Sequence, residues 1–305
     1  MKLGLMSAAL PDLSLEQLAD WAAAEQFGML ELACWPVADG PGRRYAGAAH
    51  LDVTRLTEVD AARVRRIVED RGLQISSLGY YPNPLHPDLT HRAEVIHHLK
   101  QVILAAERLE VGVVGTFVGR DAARGVPENL DLFAEVWRPL VAFAGEHDVR
   151  IAIENCPMLF SQDEWPGGHN LATTPAIWEE MFSRIPDQNF GLNLDPSHLI
   201  WQFIDYEQAV YDFRSRIFHV HAKDLELDRQ GLYRHGVLSA GMGWQIPRLP
   251  GLGEVRWDRF IAALYAVGYD FVLSIEHEDR NFEGSEELVK RGFRLARNVL
   301  APYLV

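Results

Sequence analysis

Cysteine is nearly absent: Cys34 and Cys156 are the only two in 305 residues, so no disulfide framework staples the chain, and a reducing cytoplasm suits both. Each reads first as a small buried hydrophobe. Asn-x-Ser/Thr acceptors are missing, which removes one mark of a secreted glycoprotein. No apolar run is long enough to span a bilayer. The short apolar start from Met1 to Leu10 is closed by Pro11 and Asp12, which is too little for a secretory signal. A cytoplasmic protein with no membrane partner is therefore expected. Lys/Arg runs are absent too, and a formal net charge of −14 repels a phosphate backbone, so nucleic acid is not expected as a partner.

What the chain does have is the composition of a folded globular protein, with 48% hydrophobic and 24% charged residues. Short β-rich runs alternate with amphipathic helical stretches from end to end. Strands are predicted at Lys2–Met6, Met29–Ala33, Ile75–Tyr81, Val113–Gly119, Arg150–Cys156, Phe190–Asp195, Ile217–Asp224 and Phe271–Glu278. Helices are predicted at Leu15–Phe27, Val59–Arg71, Leu89–Glu110, Leu130–His147, Pro175–Ile185, Tyr206–Arg216, Trp257–Val267 and Glu286–Leu304. Ser14, Thr174 and Asp205 read as helix N-caps, and Gly28, Gly72 and Gly268 as left-handed helix ends. Eight βα units with no Gly-x-Gly-x-x-Gly fingerprint favour a closed (β/α)8 TIM barrel over an open sheet. No linker or composition shift divides the chain, so residues 1–305 are expected to form one barrel domain.

In a barrel strand, side chains alternate between the interior and the helix layer, and a polar residue on the interior parity at a strand's end faces the mouth. That parity puts Glu154 at the inner rim of the fifth strand, with Ile151 and Ile153 outward. Asp195 ends the sixth, above Gly191 and Asn193. On the seventh, His219, His221 and Lys223 face inward and Phe218, Val220 and Ala222 outward; on the eighth, Ser274, Glu276 and Glu278 face inward. Four successive strands thus deliver Glu154, Asp195, His221 and Glu276 to one pocket. Three carboxylates crowded there repel one another unless a cation sits between them. A site of mostly oxygen with one nitrogen suits one divalent ion, Mn²⁺ first, with Mg²⁺ or Co²⁺ as alternatives; an ordinary ion-pair network is the plainer reading.

The runs Ile153-Glu154-Asn155, Leu194-Asp195-Pro196-Ser197-His198, His219-Val220-His221-Ala222-Lys223-Asp224 and Ser274-Ile275-Glu276, in this order, resemble the xylose-isomerase-like barrel superfamily. That superfamily of sugar isomerases and epimerases includes ketose 3-epimerases, inosose-processing enzymes and hydroxypyruvate isomerases. The resemblance spans essentially the whole chain. It implies that Glu154, Asp195, His221 and Glu276 ligate the metal, that Glu154 and Glu276 double as the acid/base pair, and that His198 and Lys223 touch the sugar. It also implies a small-molecule sugar as partner and a homo-oligomer as a common assembly. Ketose 3-epimerases tend to carry a second Glu after the fifth-strand ligand and an Arg beyond the seventh-strand His. Cys156–Phe160 and Leu225–Asp228 stand there instead, which argues against a plain ketohexose 3-epimerase.

Such a site supports proton abstraction beside a carbonyl, with the metal stabilising the enediolate and the two Glu residues exchanging protons. Lys223 could hold a substrate oxygen or be tied up in a salt bridge, and His198 could touch the sugar or brace Asp195. Tyr81 and Trp35 are further substrate-binding candidates; Glu31, Tyr80, Asn83, Thr116 and Phe117 could also frame the sugar, or be packing residues. The long stretch from Leu225 to Val255, with Tyr233, His235, Met242, Trp244 and the Gly/Pro-rich Gly241 to Gly253, reads as a lid or an oligomer contact. The acidic run from Glu276 to Glu287 disfavours a phosphate despite Arg280, so a non-phosphorylated sugar or keto-sugar is expected. Two rivals use related chemistry. One is a metal-dependent lyase or deglycosidase acting on a 3-keto glycoside. The other is an abasic-site endonuclease, against which stand Tyr81 and Thr116 where extra His ligands are needed.

Overall fold

Eight strands whose outward residues are almost all branched or apolar can be covered only by a continuous helix layer, and the chain closes into a barrel that does this. The structure, a computed structural model, describes residues 1–37, 47–159, 168–237 and 244–305. The strands are β1 (Lys2–Met6), β2 (Met29–Ala33), β3 (Gln74–Gly79), β4 (Val113–Thr116), β5 (Arg150–Glu154), β6 (Phe190–Leu194), β7 (Ile217–Ala222), β8 (Asp224–Leu227), β9 (Gln245–Arg248) and β10 (Val272–Ile275). The helices are α1 (Leu15–Ala24), α2 (Glu58–Glu69), α3 (Leu89–Arg108), α4 (Val126–Glu146), α5 (Pro175–Arg184), α6 (Ser197–Ile200), α7 (Tyr206–Asp212), α8 (Arg229–His235), α9 (Trp257–Ala266) and α10 (Glu286–Leu300). The closed order is β1-β10-β7-β6-β5-β4-β3-β2, while β8 and β9 form a separate antiparallel pair. No helix among the described residues is long and apolar enough to cross a membrane.

Local signals place the helices. Ser14 caps α1 in a reciprocal box with Gln17, Thr174 accepts from the Ile177 amide, and Asp205 accepts from that of Gln208. Gly72 and Gly268 take the left-handed conformation expected after a helix, but Gln26 rather than Gly28 does so after α1. Gly28 instead leads into β2, its amide donating to the Leu3 carbonyl at 2.9 Å.

The outward residues Leu30, Leu32, Leu78, Val114, Ile151, Ile153, Leu192, Leu194, Val220, Leu273 and Ile275 are buried in one cluster with the helices' apolar faces. Each such side chain contributes roughly 1.5–3 kcal/mol on burial. A smaller cluster of the opposite parity, Val113, Ala152 and Phe218, plugs the barrel floor. Phe218 is therefore inside, not outward as strand alternation predicts. The cause is a register shift against β6: Leu192 pairs with Ile217 but Asn193 with His219, so β7 carries an extra residue and turns both Phe218 and His219 inward. Gly191 makes space for the ring, since a Cβ there would lie 2.6 Å from it.

The stretch read as a long loop is an excursion with its own order. Asp224 begins it, buried, with Oδ1 accepting from the amides of Leu225 and Val255 and Oδ2 from Gly251 N and Trp257 Nε1, each at 2.9 Å. Arg248 on β9 reaches Asp279 Oδ1 at 3.2 Å and so ties the hairpin to the loop after β10. Trp244 is buried against Trp201, Leu225 and Leu227. Gly241 and Met242 lie outside the described residues.

Candidate metal centre and active site

The barrel brings the strand-end residues to one point. Glu154 ends β5, Asp195 and Glu276 each follow the last residue of β6 and β10, and His221 lies near the end of β7. Each offers one ligand atom, and these four atoms lie within 4.8 Å of one another. His221 Nδ1 is 3.3 Å from Glu154 Oε1 and 3.3 Å from Glu276 Oε2. Asp195 is positioned through its backbone, which exchanges two hydrogen bonds with the Asn155 amide at 2.8 and 2.9 Å, and through its Oδ1, which accepts from Ser197 N at 2.8 Å.

A divalent ion fits these donors. Three carboxylate oxygens and one imidazole nitrogen are the set hard or borderline ions take. Asp195 Oδ2 is buried there and faces the cationic Lys223 Nζ, at 3.1 Å, and His198 Nε2, at 3.3 Å, so the oxygen is held by positive or proton-bearing groups at the point where an ion would sit.

Lys223, between β7 and β8, threads its ammonium among the carboxylates. Nζ lies 2.6 Å from Glu276 Oε2, 3.1 Å from Asp195 Oδ2, 3.3 Å from Glu278 Oε2 and 3.7 Å from Glu154 Oε1. Burial alone would lower the Lys223 pKa, but Glu276, Glu278, Asp195 and Glu154 outweigh it and raise it well above the usual lysine value. The same charges separate the two catalytic candidates. Burial would raise Glu154, yet Lys223 and His221 hold it well below the usual carboxylate range. Burial and then the Glu154 charge raise Glu276. Two neighbouring carboxyls with pKa values driven apart are the arrangement that lets one accept a proton while the other donates.

His198, on α6, lies over the cluster with Nε2 3.3 Å from Asp195 Oδ2 and 3.6 Å from Glu154 Oε1. Tyr81 and Trp35 fall on another wall. The Tyr81 ring packs against Phe117 at 5.1 Å and His221 at 5.8 Å between centroids, and half-buried Trp35 lies 6.1 Å from it. The Tyr81 hydroxyl is engaged with Glu31 at 2.5 Å. Met6, Ala8, Ala33, Tyr81 and Phe117 cluster with Trp35, Cys156 and Met158, so apolar groups gather at the ends of β1 to β5, opposite the charged ones of β6 to β10.

Below the four lies a polar layer that parity identifies only as inward-facing. Glu31, His219 and His221 form a second group of metal-type residues, but hydrogen bonds account for it. His219 Nδ1 is 3.0 Å from Asn193 Oδ1 and its Nε2 3.2 Å from Ser76 Oγ, while Asn193 Nδ2 donates to the Tyr81 hydroxyl at 3.1 Å. Burial holds His219 neutral, its pKa pushed down to about 4. Burial would raise Glu31, but the His221 charge and the hydrogen bonds from His221 and Tyr81 outweigh it and bring it down to about 2. Glu31 thus sits under His221 rather than at a sugar; its signal was a lone acid on the inner parity of Met29-Leu-Glu-Leu-Ala33.

Known proteins share the barrel that carries these residues. The family model for the xylose isomerase-like TIM barrel matches residues 19–299, and the chain belongs to that family. The uncharacterized protein YfiH of Bacillus subtilis (strain 168) is 25% identical over 312 residues, covering 92% of this chain and 93% of its own length. Among solved structures, the probable 3-DHS dehydratase AsbF from Bacillus anthracis superposes with a TM-score of 0.73 at 17% identity, over 99% of both chains. D-psicose 3-epimerase with D-tagatose from Clostridium cellulolyticum H10 gives 0.72 at 15% identity, over 100% of this chain and 99% of its own. At such identities these two superpositions establish a shared fold.

Proposed function

We propose that this protein is a divalent-metal-dependent enzyme that isomerises or epimerises a non-phosphorylated sugar or keto-sugar. The observation that carries the reading is the convergence of Glu154, Asp195, His221 and Glu276 on one buried point, beside two carboxyls whose pKa values diverge. These four residues would hold the ion, Mn²⁺ by preference, and the ion when bound supplies positive charge to the substrate's carbonyl and hydroxyl oxygens. Glu154, held anionic, accepts the proton from the carbon beside the carbonyl. Glu276, whose carboxyl is raised by burial and by the Glu154 charge, is the group placed to return a proton to the neighbouring carbon or to the opposite face. His198, whose Nε2 lies 3.3 Å from Asp195 Oδ2 and 3.6 Å from Glu154 Oε1, stands over the cluster where it can donate to a substrate oxygen. Lys223 stays with the carboxylates until an ion or a substrate oxygen draws it away. Two unpaired cysteines agree with a cytoplasmic setting.

A second reading is elimination from a 3-keto glycoside, which begins with the same proton abstraction and then expels a leaving group. The probable dehydratase AsbF, an enzyme class that eliminates a leaving group, shares this fold, and the apolar wall around Tyr81, Phe117 and Trp35 suits an aglycone. One experiment separates the readings. Metal-stripped protein is restored with Mn²⁺ in deuterated water and given free ketoses, inososes and 3-keto glycosides, and the products are followed by NMR. Metal-dependent deuterium uptake with conserved substrate mass is the expected result. Uptake with release of an aglycone selects elimination, and no exchange with any substrate counts against the proton-transfer step.

A further inference from the structure

Beneath the four converging residues, one carboxylate faces no open space at all. Glu31, at the interior position of β2, is fully buried and engages three side chains carried by other strands or their ends. The Tyr81 hydroxyl donates to Oε1 at 2.5 Å and Ser274 Oγ donates to Oε2 at 2.9 Å. His221 Nε2 lies 2.8 Å from the same Oε2. A nitrogen lone pair facing a carboxyl oxygen at that separation would be repulsive, and both oxygens already accept from a hydroxyl, so the hydrogen sits on Nε2. Asn193 Nδ2 lies 3.0 Å from the same nitrogen but directs a hydrogen to the Tyr81 hydroxyl at 3.1 Å, while its Oδ1 faces His219 Nδ1 at 3.0 Å, which leaves Glu31 as the acceptor for the Nε2 hydrogen. With Nε2 engaged below, Nδ1 is the nitrogen that meets Glu154 and Glu276.

We propose that Glu31 is a positioning residue for the metal centre, fixing the tautomer and ring angle of His221 so that Nδ1 is the nitrogen offered to a divalent ion. The inference rests on the metal reading of the four-residue cluster. Space for the Glu31–Tyr81 pair is built into the neighbouring strand: at Gly115 a Cβ would overlap the Tyr81 hydroxyl and stand 3.3 Å from Glu31 Oε1. Burying a carboxylate this completely is costly unless it is fully hydrogen-bonded, and each partner here is itself immobilised in the barrel.

The test is a calorimetric Zn²⁺ titration of metal-stripped wild type and Glu31→Gln, with long-range ¹⁵N–¹H correlation of the imidazoles in the zinc-loaded proteins. In the wild type, His221 carries zinc on Nδ1 and a slowly exchanging proton on Nε2. In Glu31→Gln, zinc affinity falls about 10–100-fold, and the Nε2 proton shifts upfield and exchanges faster, a signature that general loosening of the barrel would not confine to one ring. A folded Glu31→Gln that binds zinc as tightly as wild type overturns the proposal and leaves the metal site standing. Should that variant not fold, the wild-type spectrum decides alone, and zinc on Nε2 overturns it. A wild type that binds no zinc sinks the metal reading itself, and this proposal with it.

Discussion

Glu154→Gln lowers turnover by about 10²–10⁴-fold at saturating Mn²⁺, the range in which a positioned general base contributes. The substitution keeps the size of the side chain and the oxygen that faces His221, but removes the charge that accepts the proton. Glu154 is suited to this role because Lys223 and His221 overcome its burial and hold it ionised. Loss of a base acts in the transition state, so kcat and kcat/KM fall together while KM changes little. The measurement is steady-state kinetics on whichever substrate exchanges deuterium, across a Mn²⁺ titration that separates weakened metal binding from lost chemistry. A variant that keeps at least a third of wild-type turnover at saturating metal would remove Glu154 from the proton-transfer role.

Lys223→Met destabilises the metal-free protein by about 3–5 kcal/mol, the usual result of removing one partner from a buried charge cluster. Lys223 Nζ lies 2.6 Å from Glu276 and 3.1 Å from Asp195, and at 3% exposure water cannot replace the ammonium. The sign with pH follows from the partners. The charge attraction is present while the carboxyls are ionised, and Glu154, whose folded pKa is depressed, loses its share only as pH falls through that lowered value. The difference between variant and wild type therefore narrows in acid. Saturating Mn²⁺ narrows it as well, because an ion bound to the folded state alone adds stability by mass action and supplies the missing positive charge. Urea unfolding with and without Mn²⁺, at neutral and acidic pH, checks both trends. Equal stability of variant and wild type without metal would mean that the carboxyls are neutral in the folded protein and that Lys223 does not hold them.

Much of this architecture was legible because barrel strands write a simple code. Outer residues such as Ile151, Ile153, Leu192 and Leu194 are apolar at every second position, and what interrupts that rule on the inner face at a strand's end is the site. The code broke where a strand took an extra residue. The shift that turns Phe218 inward, and the one between Leu30 and Glu31 that skips Ser76, follow from the pairing partner's register, and no residue in either strand announces them. Strand ends were overread for a related reason: β3, β4 and β5 stop at Gly79, Thr116 and Glu154 although apolar residues continue beyond. The β8–β9 pair was hidden by its Gly/Pro-rich surroundings, and what holds it is tertiary: the buried Asp224, bonding three backbone amides and Trp257, the Arg248–Asp279 ion pair, and the cluster around Trp244. Glu31 was visible as a polar residue of the right parity, but its partners Tyr81 and His221 stand 50 and 190 positions away, and only the closed barrel brings them together.

The central claim is that one divalent ion binds among Glu154, Asp195, His221 and Glu276. Anomalous diffraction at the manganese edge from crystals of the Mn²⁺-loaded protein tests it most directly. One strong peak is expected, bounded by the three carboxylates and His221 Nδ1, with the Lys223 ammonium displaced from its position beside them. A map with no peak there, and Lys223 still seated among the carboxylates, would contradict it.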